Sequence, residues 1–326
     1  MTTLVTGASG WLGAAVARAL LARGEAVRTL QRRPSGIEGA EDVLGSITDP
    51  ADVARAVGGV DAVVHLAAKV SFAGAERDFV AVNVEGTRAL LAAARGAGAR
   101  RFVFVSSPSV AHTGRPIVGE GTEPAQPERA RGAYARTKAT AELAALAADR
   151  PGFAVVAVRP HVVWGPGDPQ LVSRVQERAA AGRLPVVGSG AALVDSTYVD
   201  DAVDGVLAAL DAAERVRGEA FVVTSGEPRP ISELFAGFCA AAGVAPPSRH
   251  VPAVLARAAG GVVEAVWRVR PGRDEPPMTR FLAEQLSTAH WFDLRRTRER
   301  LGWTPSVGVT EGLRRLSAHH ARAEER

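Results

Sequence analysis

Two short motifs carry groups that could move a proton beside a bound dinucleotide. Residues 6–13 read Thr-Gly-Ala-Ser-Gly-Trp-Leu-Gly and follow a short apolar strand. Farther along the chain, Tyr134 and Lys138 stand four positions apart, so on a helix they share one face. A free phenol has a pKa of about 10, too high for efficient acid–base work at neutral pH. A neighbouring ammonium favours the phenolate, so we expect Lys138 to lower the pKa of Tyr134.

Serine hydroxyls could complete this proton-transfer group. The predicted strand 101–105 delivers Ser106, Ser107 and Ser109 to the carboxyl edge of a parallel sheet, where ligands bind in such folds. A serine hydroxyl there can orient a substrate oxygen while the phenol exchanges its proton. The set suits hydride transfer at a carbinol or ketone carbon.

The glycine spacing predicts a phosphate-binding turn. Gly7 permits the sharp reversal, Gly10 lets a phosphate approach the backbone, and Gly13 allows the helix to pack closely on the strand. The predicted helix 11–23 then presents its unpaired N–H groups and dipole to a pyrophosphate. A glycine turn without a ligand is the alternative, but the strand before it and the helix after it favour binding.

The end of the second strand bears on the choice of coenzyme. An NAD enzyme usually places an Asp or Glu there to accept from the ribose hydroxyls. Here Gln31 is followed by Arg32 and Arg33. A guanidinium suits a 2′-phosphate, and no carboxylate is expected there to repel it. We therefore predict NADP(H), with NAD(H) as the alternative, although such arginines are commonly solvated loop charges.

Composition limits the function classes. A chain of 326 residues with 47% hydrophobic content suits one bilobed unit or two domains. Its net charge of +4 is scattered without a basic, aromatic-rich patch, which argues against nucleic acid. The single cysteine, Cys239, excludes an internal disulfide, and the seven histidines show no metal-ligand spacing. With no signal peptide before the first strand, we expect a cytoplasmic protein without a metal.

Apolar strands alternate with Ala-rich helices through the first half, which predicts an α/β fold with a Rossmann-type doubly wound parallel sheet. The predicted strands are 2–6, 26–30, 42–45, 61–66, 101–105 and 153–159, and the clearest helices are 11–23, 78–97 and 133–148. We predict a dinucleotide-binding domain over 1–160, to which residues 192–226 return with a strand at 220–223. A smaller mixed substrate-binding lobe then occupies 161–326.

The segment 251–270 is apolar but contains four charged residues, so it is too short and too charged to span a bilayer. It could lie on a membrane surface as an amphipathic helix, or cover an apolar substrate mouth. An ordinary core-packed helix is the favoured interpretation.

These motifs together resemble the extended short-chain dehydrogenases/reductases nearly end to end. Further matching segments are 64–68 (Val-His-Leu-Ala-Ala), 83–87 (Asn-Val-Glu-Gly-Thr), 159–160 (Arg-Pro), 164–168 (Trp-Gly-Pro-Gly-Asp) and 198–201 (Tyr-Val-Asp-Asp). The resemblance implies a catalytic set of Ser107, Tyr134 and Lys138, with Asn83 completing a tetrad through a water. Lys138 would also hold the nicotinamide ribose. Ser107 is preferred by its place relative to the strand, and Ser109 is the fallback.

Coenzyme and substrate residues are predicted around this set. The predicted coenzyme contacts are Gly7, Ser9, Gly10, Trp11, Leu12, Gly13, Gln31, Arg32, Arg33, Ser46, Ile47, Leu66, Ala67, Ala68, Lys69, Tyr134, Lys138, Pro160, Val162 and Val163. The predicted substrate contacts are Ser71, Ser109, His112, His161 and Trp164. Lys69, Ser71 and Phe72 should face the nicotinamide end unless they form a solvated loop. His112 and His161 could bind a substrate oxygen or carboxylate, or be satisfied structurally.

Two branches of this superfamily compete. Sugar-nucleotide epimerases and dehydratases usually have a Tyr-Gly pair shortly after the serine, where this chain has Ala111 and His112. They also place an arginine before the Asp of a later strand, to bind the substrate pyrophosphate. Here Val194 precedes Asp195, which removes a charge-assisted phosphate contact.

The other branch contains 3β-hydroxysteroid dehydrogenases and 2-alkyl-3-oxoalkanoate reductases, and it is favoured. The segments that resemble it are 108–112, 279–282, 287–292 and 301–305. We therefore predict an NADP(H)-dependent oxidoreductase that interconverts a ketone and a secondary alcohol on a small hydrophobic substrate, a β-keto or β-hydroxy acid or a steroid-like compound.

Alternatives are a sugar-nucleotide epimerase or dehydratase with tightly bound NAD, and a non-catalytic dinucleotide sensor. The intact serine, tyrosine and lysine set argues against a sensor, which has no use for a proton relay. Relatives often pair through helices around the Tyr-Lys segment, so a homodimer is expected.

Overall fold

The computed structural model describes residues 1–71, 74–269 and 278–324. The strands are β1 (Thr2–Thr6), β2 (Ala26–Gln31), β3 (Glu41–Leu44), β4 (Ala62–His65), β5 (Arg101–Val105), β6 (Ile117–Glu120), β7 (Ala154–Pro160), β8 (Val163–Trp164), β9 (Val186–Val187), β10 (Leu193–Val194), β11 (Thr197–Tyr198), β12 (Ala220–Val223), β13 (Arg229–Pro230), β14 (His250–Val251) and β15 (His290–Phe292). The helices are α1 (Trp11–Ala22), α2 (Pro50–Val57), α3 (Glu76–Phe79), α4 (Thr87–Gly96), α5 (Gly132–Ala147), α6 (Val172–Ala180), α7 (Val199–Ala212), α8 (Ile231–Ala241), α9 (Ala253–Val269), α10 (Arg280–Ser287), α11 (Arg295–Leu301) and α12 (Val309–Glu324). A π-helical segment (Val80–Gly86) and a 3₁₀ turn (Pro108–Ala111) complete the elements.

Seven parallel strands form the main sheet in the order β3-β2-β1-β4-β5-β7-β12. The chain winds outward from β1 and then starts again at β4, so the strand order reverses between these two strands. The central strands β4 and β7 are apolar runs buried on both faces, which is typical of a parallel sheet covered by helices. The predicted Rossmann-type fold is confirmed, and each predicted strand of the first half has its counterpart in this sheet.

Helices cover both faces of the sheet. On one face α1 packs beside α7, with Val16 and Leu20 in the same core as Val206 and Leu210. On the other face lie α2, α4 and α5. Strand β12 pairs with β7 at the sheet edge. Residues 192–226, predicted to return to this domain because of the apolar strand 220–223, contain α7 and β12.

A second, mixed sheet of four strands has the order β13-β10-β15-β6. Strand β6 comes from the first half of the chain, and Ile117 pairs with His290 of β15. The predicted boundary at residue 160 therefore does not separate the two sheets. The chain leaves the main sheet after β5, contributes β6 to the second sheet, and returns through α5 to β7, which pairs with β5.

The helix predicted over 78–97 consists of three pieces. Helix α3 runs into the π-helical segment, which continues directly into α4. A π-helical turn widens the backbone locally, and such turns occur frequently at functional sites. Asn83 lies in this turn.

Helix α9 occupies residues 253–269 of the segment 251–270; Val251 belongs to β14, and residue 270 lies outside the described part of the chain. One face packs through Ala256 against the second lobe. The other face exposes Val254, Leu255 and Val262, of which Val254 is 75% exposed. The predicted packing of this helix against the core thus holds for one of its faces only. Among the described residues, no helix combines the length and the apolar character needed to cross a membrane.

A buried ion pair joins α5 to β7. The Arg159 Nε donates to Glu142 Oε2 at 2.9 Å, and Arg159 Nη1 donates to the carbonyl of Glu123 at 2.7 Å. Both charged side chains are almost fully buried. Each charge therefore depends on the other, because water cannot replace the missing partner.

We predict that Glu142→Gln destabilises the protein by about 3–5 kcal/mol, since it leaves the buried guanidinium without a counter-charge. The free energy of unfolding in urea measures this loss. The control is Glu85→Gln, which breaks an exposed pair with Arg88 and should cost less than about 1 kcal/mol. Equal losses of unfolding free energy in the two variants would show that burial does not determine how much the Arg159–Glu142 pair contributes to stability.

Candidate active site

The glycine turn lies at the carboxyl end of β1. Gly7 has a φ of 78°, and its N–H donates to the carbonyl of Leu30 at 3.1 Å. A Cβ added to Gly7 would lie 2.9 Å from the Ala67 nitrogen, and one added to Gly13 would lie 2.4 Å from the Gly7 oxygen. Both positions therefore need glycine. The turn is held between α1 and the loop after β4, at the point where the strand order reverses, and ligands bind there in such sheets.

The start of α1 is suited to an anion. Its N-cap residue is Gly10, no side chain caps the helix, and the first turn holds no acidic residue. By contrast, the Asp49 side chain caps α2. The first N–H groups of α1 are thus left for a phosphate, and Ser9 is exposed beside them. These features fit the pyrophosphate of a dinucleotide.

The side chains of Trp11 and Leu12 point elsewhere. The Trp11 indole Nε1 donates to the Pro166 carbonyl at 3.1 Å and thereby joins the glycine turn to the loop 164–168. Leu12 packs against the core beneath the sheet. Their predicted coenzyme contacts would therefore come from the backbone.

A directed chain of hydrogen bonds runs from β1 to the π-helical segment. The Thr87 hydroxyl donates to the Asn83 carbonyl at 2.7 Å, so it must accept from His65 Nε2, at 2.9 Å. Nδ1 of this neutral histidine then accepts from the Thr6 hydroxyl at 2.6 Å, while Thr6 Oγ1 accepts from the Ala67 N–H. Burial and the charge of Lys138 lower the pKa of His65 to about 3, which keeps the ring neutral.

The Asn83 amide extends this chain to the predicted catalytic helix. Its Oδ1 accepts from the Lys69 N–H at 2.7 Å, and its Nδ2 donates to the Lys69 carbonyl and to Thr137 Oγ1. Thr137 lies on α5 between Tyr134 and Lys138. Asn83 therefore fixes the loop after β4 relative to α5. Its predicted participation in a tetrad through a water stays a prediction.

The structure brings Ser107, Tyr134 and Lys138 together. The Ser107 side chain lies beside the Tyr134 phenol and works to lower its pKa, and Ser109 Oγ donates to Ser107 Oγ at 3.0 Å. Ser106 is buried, and its hydroxyl has no partner among the described residues. This geometry favours Ser107 among the three serines, with Ser109 supporting it.

Lys138 lies under the sheet edge. Its Nζ donates to the Val105 carbonyl at 2.6 Å and lies 4.0 Å from the centre of the Phe104 ring. Burial lowers its pKa to about 7, although the charge of Glu142 works in the opposite direction. Burial raises the pKa of Tyr134 to about 12, and the Ser107 side chain opposes this rise only in part. The predicted lowering of the Tyr134 pKa is therefore wrong, because the loss of solvation disfavours the phenolate.

The end of β2 differs from the expectation in one respect. Arg32 and Arg33 are exposed, and Asp42 of the neighbouring strand β3 accepts from Thr29, from Gln31 and from the backbone of Ser35. The expectation of no carboxylate at this edge is wrong. Burial works to raise the pKa of Asp42, but these hydrogen bonds outweigh it and lower the pKa. Three donors already engage the carboxylate.

The predicted adenine side of the site has a similar carboxylate. The Ser46 N–H donates to Asp52 at 2.8 Å, and the Ser46 hydroxyl bonds Thr48. Ile47 is buried and packs closely on Gly86 of the π-helical segment. Leu66, Ala67 and Ala68 form the loop after β4, with Ala67 directly against the glycine turn.

Lys69 does not point along the sheet edge. Its Nζ donates to Asp78 at 2.9 Å and lies 5.0 Å from the centre of the Phe79 ring. The Asn83 amide holds its backbone, since it bonds both the N–H and the carbonyl of Lys69. Ser71 follows at the end of the first described range, and Phe72 lies outside the described residues. Their roles stay predictions.

The backbone after β7 is strained. Val162 adopts a φ of 44°, which is unfavourable for a β-branched residue and is found mostly where function requires it. Thr197 holds it in place, since its N–H donates to the Val162 carbonyl and its hydroxyl to the His161 carbonyl. Pro160 and Val163 flank this turn at the carboxyl edge of the sheet, where the coenzyme contact is predicted.

Histidines meet where the two lobes face each other. His290 Nε2 donates to the Gln285 carbonyl, so its Nδ1 accepts from His161 Nε2 at 2.7 Å. Burial lowers the pKa of both rings, so both are neutral. His112 lies beside this pair, edge-on to Phe281.

Trp164 lies in the core. Its indole Nε1 donates to Ser196 at 3.0 Å, and its ring packs against Tyr198 and Phe238. The side chain has no polar atom left for a substrate. Trp164 is therefore not part of the proposed substrate set.

Sequence reasoning missed several residues of this region: His65, Asp42, Thr137, Arg131, Glu284 and His290. Each of them acts through a partner distant in the sequence, on another strand or in the other lobe. For His65 the segment Val-His-Leu-Ala-Ala did provide a signal, since a polar ring in a buried strand needs partners.

Comparison with known proteins agrees with this geometry. The model of the NAD dependent epimerase/dehydratase family matches residues 3–224. The 2-alkyl-3-oxoalkanoate reductase of Stenotrophomonas maltophilia is 41% identical, over 98% of this chain and 100% of the relative. The 3-beta-hydroxysteroid dehydrogenase of Mycolicibacterium neoaurum is 33% identical, over 95% of this chain and 88% of the relative.

A solved structure shows the same fold. A short-chain dehydrogenase/reductase superfamily protein from Agrobacterium tumefaciens, with bound NAD, is 27% identical and covers both chains completely at a TM-score of 0.76. The reductase and dehydrogenase relatives confirm the predicted class of enzyme, a dehydrogenase or reductase acting on CH–OH and C=O groups. The chain belongs to the NAD dependent epimerase/dehydratase family, and thus to the extended short-chain dehydrogenases/reductases.

Proposed function

We propose that this protein is an NADP(H)-dependent ketoreductase that interconverts a ketone and a secondary alcohol on a hydrophobic β-keto or β-hydroxy compound. The observation that carries the proposal is that Ser107 lies beside Tyr134, while buried Lys138 of the same helix donates to the Val105 carbonyl at the end of β5. A phenol, a hydroxyl and an amine at this edge are the groups that a carbonyl oxygen needs when it gains a proton.

The roles of the residues follow from their positions. The dinucleotide, when bound, supplies or accepts the hydride. Ser107 and Tyr134 bind the substrate oxygen, and Tyr134 donates its proton to that oxygen during reduction. Because the pKa of Tyr134 is about 12, the phenol holds this proton at neutral pH. Lys138 holds the nicotinamide ribose and adds positive charge near the phenol.

The preference for NADP(H) rests on Arg32 and Arg33. Their exposed guanidinium groups follow β2, where an adenosine ribose would lie. Asp42 could favour ribose hydroxyls instead, but its carboxylate is already engaged by Thr29, Gln31 and Ser35. This engagement supports the arginines as the groups that select the coenzyme, with NAD(H) as the alternative.

The apolar substrate is supported by the relatives and by one local contrast. The relatives include a 2-alkyl-3-oxoalkanoate reductase and a 3-beta-hydroxysteroid dehydrogenase. A sugar-nucleotide epimerase or dehydratase with tightly bound NAD is the second candidate, and family membership alone leaves it open. Its substrate pyrophosphate needs a cation before Asp195, but Val194 is there, buried in β10. This contrast favours the ketoreductase.

Two partner predictions remain proposals. The exposed apolar side chains of α9 support a peripheral membrane contact or a cover over an apolar substrate. A homodimer would pair through helices around the Tyr-Lys segment, which on this chain is α5.

We predict that Tyr134→Phe lowers kcat at least about 100-fold, because the proton donor is lost, while the coenzyme Kd stays near that of the unaltered protein. Steady-state rates and coenzyme fluorescence titration measure the two effects. Tyr198→Phe is the matched control, since Tyr198 packs on Trp164 away from the site. Retained activity in Tyr134→Phe would refute the proton relay.

A second prediction concerns the coenzyme. Arg32→Gln should weaken NADPH binding about tenfold or more and leave NADH binding within about twofold, since only NADPH carries the 2′-phosphate. Titration with each coenzyme gives the two Kd values. Arg23→Gln, which breaks an exposed pair with Asp211, should change neither. Equal losses for both coenzymes would contradict the selection by Arg32.

The pH dependence should differ between the two directions. Reduction needs the protonated phenol, and oxidation needs the phenolate; since burial raises the pKa of Tyr134 to about 12, the neutral form dominates at neutral pH. We predict that kcat/KM for oxidation rises between about pH 6 and 9, whereas kcat/KM for reduction does not rise. Initial rates in both directions measure this. A flat oxidation profile would exclude Tyr134 as the titrating base.

A further inference from the structure

A buried histidine without hydrogen-bonding partners lies near the proposed catalytic groups. His112 is only 1% exposed, and neither of its ring nitrogens is hydrogen-bonded within the described part of the chain. Buried polar atoms without partners destabilise a fold, so a native protein retains them mainly where they serve another purpose. A ligand that supplies the missing partner is such a purpose.

A guanidinium with unused donors lies beside this ring. Arg131 forms an ion pair with Glu284 at 3.4 Å, and no acceptor among the described residues is in hydrogen-bonding geometry with its side chain. Gly114 provides the space for it, since a Cβ there would come within 2.7 Å of Arg131 Nε. Burial lowers the pKa of His112 to about 4; the charge of Arg131 works in the same direction, and that of Glu284 opposes it.

Two guanidinium groups share a buried carboxylate beside the ring. Glu284 is 5% exposed and is paired with Arg131 and with Arg280, at 3.2 Å. A second carboxylate, that of Glu264, accepts from the backbone N–H of Arg280, so Arg131 is the guanidinium whose donors are left for a ligand. The nearby His161 and His290 are neutral, because burial lowers the pKa of both rings.

The same two residues are carried by the elements that position the proposed catalytic groups. His112 directly follows the 3₁₀ turn that begins after Ser107. Arg131 is the N-cap residue of α5, one turn before Tyr134. A substrate whose carbonyl oxygen meets Ser107 and Tyr134 can therefore direct a second polar group toward His112 and Arg131.

Resting on the proposed function, we propose that His112 and Arg131 form a carboxylate subsite that selects 3-oxo and 3-hydroxy acids over ketones and alcohols without a carboxyl group. The guanidinium fork binds the two oxygens of a carboxylate, and the imidazole N–H donates to one of them. A carboxylate also favours the protonated imidazole, which adds a second charge-assisted hydrogen bond. A steroid substrate would leave this subsite unused.

The test compares a 3-hydroxy acid with two compounds that have the same alkyl chain but no carboxylate charge. The probes are 3-hydroxydecanoic acid, its methyl ester and 2-nonanol, each oxidised with NADP⁺ by the full-length protein. We expect kcat/KM for the acid to exceed the other two by about 10- to 100-fold. His112→Leu and Arg131→Gln should each lower this preference about tenfold or more. Arg136→Gln, whose side chain pairs with Glu76 at the surface of the same helix, should keep it.

Stability gives an independent readout. His112→Leu replaces two unpartnered nitrogens by alkyl groups, so its urea midpoint should rise while the preference for acid falls. A lower midpoint with an unchanged preference would show that the ring is structural and satisfied by water. Equal kcat/KM for acid and alcohol in the unaltered protein would also overturn the subsite. No oxidation of any probe would refute the proposed function itself, and the subsite with it.

Discussion

The site depends on a chain of hydrogen bonds that has only one consistent direction. The Thr87 hydroxyl donates to a carbonyl, which forces His65 to donate through Nε2 and to accept from Thr6 through Nδ1. Protonation of the ring would remove that acceptor, and burial prevents it by lowering the pKa to about 3. Through Asn83 and Thr137 the same chain reaches the helix that carries Tyr134 and Lys138. The glycine turn and the proposed proton donor are therefore fixed relative to each other.

Several groups around this chain are held in unfavourable states. Lys138 is buried and its pKa falls to about 7, Val162 adopts a left-handed backbone, and His112 has no hydrogen-bonding partner. A fold selected for stability alone would avoid all three. They lie at or beyond the carboxyl ends of β5 and β7, on the side of the sheet where ligands bind in such folds. The unfavourable states thus coincide with the place where sheet topology locates function.

Local patterns predicted much of this arrangement. Apolar runs identified the strands, and the requirement for glycine at Gly7 and Gly13 followed from the contact between turn and helix. The i, i+4 spacing brought Tyr134 and Lys138 to one face. What could not be predicted arises between distant segments. Strand register brings Asp42 beside Thr29. The amount of protein around a phenol decides the direction of its pKa shift, and sequence spacing does not reveal it.

The central claim is that hydride passes from a dinucleotide to a ketone carbon and stays there. NADPH carrying deuterium on one or the other face of its nicotinamide C4 is mixed with the protein and a 2-alkyl-3-oxoalkanoate, and the product is analysed by mass spectrometry. The account predicts that one of the two labelled coenzymes is consumed and transfers its deuterium to the new carbinol carbon in equimolar amount. A product without deuterium from either label, with the coenzyme unconsumed, would contradict it.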